Sequence, residues 1–129
     1  MPTQRVEVLA VGHAAYDVNI FVDEFPRENS KLETYEMLEG GGGPAANAAY
    51  LLSCWGANCG FAGLLGDDYY GQRISDEFNS VGTDLSLTET RYGHPTPLSF
   101  ILVNTRNGSR LPFQRDGCSG SACSITPRV

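Results

Sequence analysis

Apolar positions recur along this chain with two different periods, and the two kinds of segment alternate. Residues 6–12 (VEVLAVG) and 59–65 (CGFAGLL) are short, continuous apolar runs. Such runs predict parallel strands covered on both faces. Residues 20–25 and 31–39 mix apolar with polar positions around a Pro26-Arg27-Glu28-Asn29 turn, which predicts two strands of a sheet with one exposed face. Residues 45–55 are apolar almost all round and predict a buried helix, with Trp55 in the core and Gly56 as its stop. Tyr70, Ile74, Phe78 and Val81 form one stripe at helical spacing, with Asp67 or Asp68 as the expected cap and Gly82 as the stop. Beyond it, residues 84–90 alternate, 98–103 read as an apolar strand, and Asn107-Gly108 signals a two-residue hairpin turn into 110–114.

The predicted order is strand, two-strand excursion, buried helix, strand, helix, three-strand meander. Two buried strands around a helix imply a right-handed βαβ crossover. The excursion and the meander contain no helix, so they are expected to pair into a small separate sheet beside an α/β core. Ligands of open α/β sheets bind beyond the carboxyl ends of the strands. Gly12, ending the first strand, should therefore lie near residues 40–47, and Asp17 could reach the same cleft.

Residues 40–47 read GGGGPAAN and open the apolar helix. Glycines let a ligand approach the backbone closely, and Pro44 suits the first helical position. The first amides of that helix are left without intrahelical partners, at the positive end of its dipole. Asn47, one turn in, adds a side chain that both donates and accepts. The combination suits a polyol or an anion.

Composition narrows the classes. The chain has 129 residues, enough for one domain or part of one, and its 41% hydrophobic content can build a core. Fifteen acidic against nine basic residues give a net charge of −6, which argues against nucleic acid or an anionic membrane as partner. No apolar run approaches the roughly 18 residues of a membrane span, and residues 1–12 lack the core of a signal peptide, so a cytoplasmic protein is expected. Four cysteines form two C-x4-C pairs, Cys54/Cys59 and Cys118/Cys123. Cys54 sits in an apolar helix and Cys59 begins an apolar strand rather than lying on converging loops, which favours free thiols over a zinc site. Asp67 and Asp68 read as a helix cap rather than an acid–base pair, and His13 and His94 have no nucleophile partner at a recognisable motif. A dinucleotide-binding domain would need G-x-G-x-x-G after the first strand, where VGHAAY supplies one glycine; a P-loop would need GK[ST] after the glycines.

Four collinear segments carry a family resemblance. GHAAYD (12–17), GGGGPAAN with its helix, GLLGDDYYG (63–71) and TPLSFILVNTRNGSR (96–110) resemble the N-terminal part of the ribokinase-like (PfkB) carbohydrate kinases. The resemblance runs from Val8 to about Asp116. It implies an α/β ribokinase-like fold: a partial parallel-sheet βαβ core at 1–12 and 40–83, a β-sheet lid at 13–39 and 84–116, and an irregular tail at 117–129. It implies that Asp17, Gly42, Gly43 and Asn47 contact a small-molecule sugar. It further implies phosphoryl transfer from ATP, with Mg2+, to a sugar hydroxyl, and a homodimer formed through the lid.

Two departures bear on the substrate: Ala15 stands where ribokinase has a sugar-binding Asn, and Pro44 where it has Lys. Neither favours ribose by default. The family's Gly-Ala-Gly-Asp motif, which supplies its anion hole and catalytic base, does not occur here, so no catalytic, nucleotide-binding or metal-binding residue is assigned. The expectation is a chain truncated before the nucleotide-binding half, or a non-catalytic sugar-binding or vestigial fragment.

Overall fold

The computed structural model describes residues 5–118. Strand β1 (Val8–Val11) pairs in parallel with β4 (Cys59–Ala62), and helix α1 (Pro44–Cys54) connects the excursion to β4, completing the expected crossover. Strand β5 (Leu64–Gly66) follows, then α2 (Tyr69–Ser80) and β6 (Glu89–Arg91), which pairs in parallel with β5. The sheet expected as a lid has four strands, in the order β3 (Met37–Gly42), β2 (Ala15–Val22), β7 (Leu98–Asn104), β8 (Arg110–Arg115). Its two central strands, β2 and β7, run parallel and its outer pairs antiparallel. Tyr16, Val18, Phe61, Leu65, Ile74, Phe78 and Leu98 join the lid base, the sheet and α2 in one buried cluster.

Several expectations change. The predicted strand 59–65 is two strands divided at Gly63, where a Cβ would run into the Phe61 ring and the Gly12 carbonyl. Residues 84–91 do not join a lid meander; they run along the core. Asp84 N–H donates to Cys59 O (2.9 Å), Phe61 N–H to Asp84 O (3.0 Å) and Thr88 Oγ1 to Phe61 O (2.7 Å). Three of the four glycines expected to open the helix are strand residues, because Gly40, Gly41 and Gly42 pair with Asp17, Tyr16 and Ala15. The 105–109 hairpin loop has more than two residues, closed by Asn104 N–H on Ser109 O (2.9 Å), with Gly108 at φ 72°.

Burial departs furthest from expectation on one side of the core. β1 was expected to be covered on both faces, yet Leu9 is 43% and Val11 53% exposed. α1 buries Ala46, Ala49 and Ser53, while Leu51 is exposed and Trp55, expected in the core, is 73% exposed. The apolar pattern of these elements calls for cover on both sides, and among the described residues only one side is covered. The lid also has an apolar face: Val18, Ile20, Phe100, Leu102, Leu111 and Phe113 share it by register. Phe100 and Phe113 stack there with ring centroids 5.7 Å apart.

Cys54 is exposed at the end of α1 and Cys59 is buried, where burial raises its thiol above the ordinary range. Cys123 and residues 119–129 of the expected tail lie outside the described residues. No helix among the described residues is long and apolar enough to cross a membrane.

Candidate functional site

Backbone geometry builds the site first. β1 ends at Gly12, whose N–H donates to Ala62 O (3.0 Å) and whose Cα faces the Cβ of Ala45 in the first turn of α1. Gly43 caps α1 at φ 100°; a Cβ there would sit 2.6 Å from the His13 carbonyl oxygen and 3.0 Å from Ala14 Cα. Only glycine allows the chain to turn from β3 into α1 so close to residues 13–14. The expected proximity of Gly12 to residues 40–47 is therefore found. No side chain caps the helix start, and Pro44 at its first position has no amide to satisfy.

Asp17 lies on β2 directly opposite Gly40, and its carboxylate leans over Gly42. A Cβ on Gly42 would lie 2.8 Å from Asp17 Cγ, so the missing side chain is what admits the carboxylate. Asp17 is half-buried, and its carboxylate has no hydrogen-bond partner among the described residues. A partly desolvated acceptor without a partner next to open helix amides is suited to a hydroxyl-bearing ligand.

Asn47 stands one turn up α1 and is solvent-exposed. It borders a cleft of about 280 Å³ between α1, α2 and β3, together with Glu39, Gly40, Gly41, Tyr50 and Glu77, over a floor of Ala46, Ile74 and Phe78. Asp17 does not line that cleft. The structure thus brings Asp17, Gly42 and Gly43 together at the helix start and sets Asn47 on the rim beside them.

Two supporting groups escaped the sequence reading. Glu77 Oε2 accepts from Gly41 N–H at 2.9 Å, an outward amide of the edge strand β3. Its only sequence signal is its place three residues after Ile74, flanking the apolar stripe. Tyr16, beside Asp17, is fully buried; burial raises its phenol, with Glu39 adding to the rise and Arg73 opposing it. Its hydroxyl and Arg73 Nε are both buried without a hydrogen bond of good geometry.

Asp68 is the cap of α2, as one of the two expected carboxylates. Its Oδ1 accepts from Gly71 N–H (2.9 Å) and Thr96 Oγ1 (2.6 Å), and its Oδ2 from Thr96 N–H (2.9 Å), with Arg115 Nη2 at 3.7 Å. Partial burial works against the charge, but the bonds from Thr96 and Gly71, with Arg115 beyond them, hold the carboxyl below its ordinary range. Asp67 is exposed and accepts from Gly93 N–H (3.1 Å). Among the described residues no three His, Cys, Asp or Glu side chains converge to hold a metal ion.

Comparison with known proteins gives a consistent picture. The profile of the pfkB family carbohydrate kinases matches residues 6–114. Mouse ketohexokinase is 32% identical over 107 residues, covering 83% of this chain and 36% of that protein. A nucleoside kinase from Methanothermobacter thermautotrophicus is 31% identical over 99 residues, or 77% of this chain and 32% of that protein. The Arabidopsis thaliana ribokinase structure, complexed with ribose and ATP, superposes on 85% of this chain with a TM-score of 0.74 at 21% identity, a likeness of fold. The chain spans about a third of the length of these proteins, 36% of the ribokinase.

Proposed function

The chain belongs to the pfkB family of carbohydrate kinases, and on that premise we propose that it is the sugar-gripping part of an ATP-dependent kinase that phosphorylates a sugar hydroxyl. Asp17 accepts hydrogen bonds from sugar hydroxyls, Gly42 and Gly43 let the ring approach the backbone, and Asn47 reaches in from α1. The observation that carries this is the partnerless Asp17 carboxylate resting over Gly42 at the uncapped start of α1. The named relatives point to a ketohexose or a nucleoside sugar as the substrate class.

Phosphoryl transfer is mostly positioning and charge stabilisation. This chain's part is to fix the sugar and shield it with the lid. ATP supplies the phosphoryl group and Mg2+ its counter-charge in the whole protein. Among the described residues no three His, Cys, Asp or Glu side chains converge, and no residue of this chain is assigned to either. No step is assigned to them here. The apolar residues of the lid support a second copy as partner, and the net charge of −6 argues against nucleic-acid contacts.

Calorimetric titration of the 129-residue chain with D-ribose, D-fructose and adenosine tests the reading. Saturable binding of at least one, abolished by Asp17→Ala, is expected, with no sugar-dependent ADP release from ATP. Binding that survives Asp17→Ala would place the ligand elsewhere, and binding of none of the three would overturn the assignment.

A further inference from the structure

A helix cap needs one acceptor oxygen. Asp68 Oδ1 accepts from Gly71 N–H and also from Thr96 Oγ1, and its other oxygen has no part in the cap: Oδ2 receives Thr96 N–H and faces Arg115. Thr96 and Arg115 are the two open ends of the β7–β8 hairpin, one just before Leu98 and the other closing β8. Arg115 Nη2 also donates to Thr96 O (3.1 Å), and its guanidinium lies over the Tyr70 ring at 6.0 Å. Thr96 is fully buried, and its Oγ1 also accepts from Gly66 N–H (3.0 Å) at the end of β5. Two glycines make room for this crossing. A Cβ on Gly71 would lie 2.9 Å from Thr96 Oγ1, and one on Gly66 would lie 2.7 Å from the Pro95 carbonyl carbon.

The path from this carboxylate to Asp17 is short. Pro97 follows Thr96, and its carbonyl accepts from Tyr16 N–H at 2.8 Å. Two residues later Ser99 pairs with Asp17 itself. We propose that Asp68 is a positioning residue for the sugar grip: its carboxylate clamps both ends of the β7–β8 hairpin to the start of α2 and thereby fixes the lid strand that carries Asp17. This rests on the sugar-binding role of Asp17 given above.

Asp68→Asn separates the clamp from the cap. Asparagine caps helices as well as aspartate, so one oxygen still serves Gly71 and the Thr96 hydroxyl, while the amide NH2 now meets Thr96 N–H and the Arg115 guanidinium. Thr96→Val, similar in shape, removes the hydroxyl and leaves the cap untouched. Amide hydrogen exchange of the 129-residue chain reads both variants. Exchange across β2 and β7 should quicken by about tenfold or more while α2 keeps its protection. Unchanged exchange in β2 and β7 in both variants would overturn the clamp. So would α2 loosening as much as the lid, since Asp68 would then be a cap alone. Exchange is read without sugar, so the outcome is independent of the grip. If the unsubstituted chain binds none of D-ribose, D-fructose and adenosine, the sugar reading fails while the clamp is still decided. If it binds, Asp68→Asn should weaken the same sugar by about tenfold, and a variant with a loosened lid but unaltered affinity would overturn the positioning role.

Discussion

Single atoms decide the geometry around Asp17. Gly42→Ala would put a methyl where the Asp17 carboxylate now lies, so it should weaken sugar binding as much as Asp17→Ala does. About 1–3 kcal/mol is expected from a desolvated hydroxyl left without its acceptor; calorimetry on the two variants, with near-equal losses, checks it. Gly43→Ala combines a φ of 100° with a clash on the His13 carbonyl and should cost stability, on the order of 1–3 kcal/mol in urea unfolding. The Asp68 carboxyl gives an acid signature. Its folded-state pKa lies below the ordinary value, held there by Thr96, Gly71 and Arg115 against the effect of burial. Its contribution is therefore complete above the ordinary carboxylate range and lost as pH falls through the depressed folded value. Asp84, lowered by its bonds to Ser86, changes stability in the same direction. Hence the stability gap between the unsubstituted chain and Asp68→Asn should be constant near neutrality and shrink on acidification below the ordinary carboxylate range. A gap that widens in acid would show that the charged form is not the one the fold favours.

At the scale of elements, α2 is the brace that joins lid to core. Its cap, Asp68, holds the hairpin ends, and Glu77 near its other end holds the Gly41 amide. Asp68→Ala should therefore cost more than a cap. Roughly 1 kcal/mol for the cap and a further 1–2 kcal/mol for the abandoned donors of Thr96 are expected in urea unfolding. Asp67→Ala, at an exposed neighbour, should stay within about 0.5 kcal/mol. Equal effects of the two would contradict the assignment of the cap. What the chain reveals about these elements in advance follows the range of the forces that make them. The α2 stripe, its cap and its Gly82 stop are local, and the apolar runs and the βαβ crossover follow from period and connection alone. The partner of residues 84–91 was hidden, because alternation marks a strand without saying which edge it joins; bonds to Cys59 and Phe61 settle that. Gly40, Gly41 and Gly42 carry no strand signal of their own; pairing with residues 15–17 makes them a strand. In the site, the meeting of Asp17 with the glycines was legible from the chain order of the motifs and from family likeness. The position of Asn47 on the rim of a cleft that Asp17 does not line was not, since a helix's rotation is set by packing. Glu77 carried no signal in the sequence because its partner is a backbone amide 36 positions away.

The whole molecule joins a well-packed centre to surfaces whose apolar residues have no cover among the described residues. Tyr16, Phe61, Ile74 and Phe78 form a core that supports a stable fold. Leu9 and Val11 on β1, Leu51 and Trp55 on α1, and Leu111 and Phe113 on the lid remain accessible to water. Among the described residues β1 pairs with β4 alone, so its outer edge offers unpaired backbone groups to another chain. Apolar areas of this kind drive association unless charge opposes it, and a net charge of −6 screened over about 10 Å at ordinary salt is a weak opponent at contact. The isolated chain should therefore fold and also self-associate, with sedimentation coefficients that rise with concentration and with binding of hydrophobic dyes. Trp55 is the single tryptophan, which makes it a reporter for the α1 surface. Its emission should move to the blue as concentration rises. Leu51→Lys, one helical turn before it, should hold the emission red and reduce dye binding without altering urea stability by more than about 0.5 kcal/mol. Leu111→Lys should leave the tryptophan signal alone and lower only the association that runs through the lid. A monomer at all concentrations, with Trp55 emission fixed, would mean that the exposed apolar faces are tolerated singly and that the chain is self-sufficient, which would favour a binding module over a part of a larger kinase.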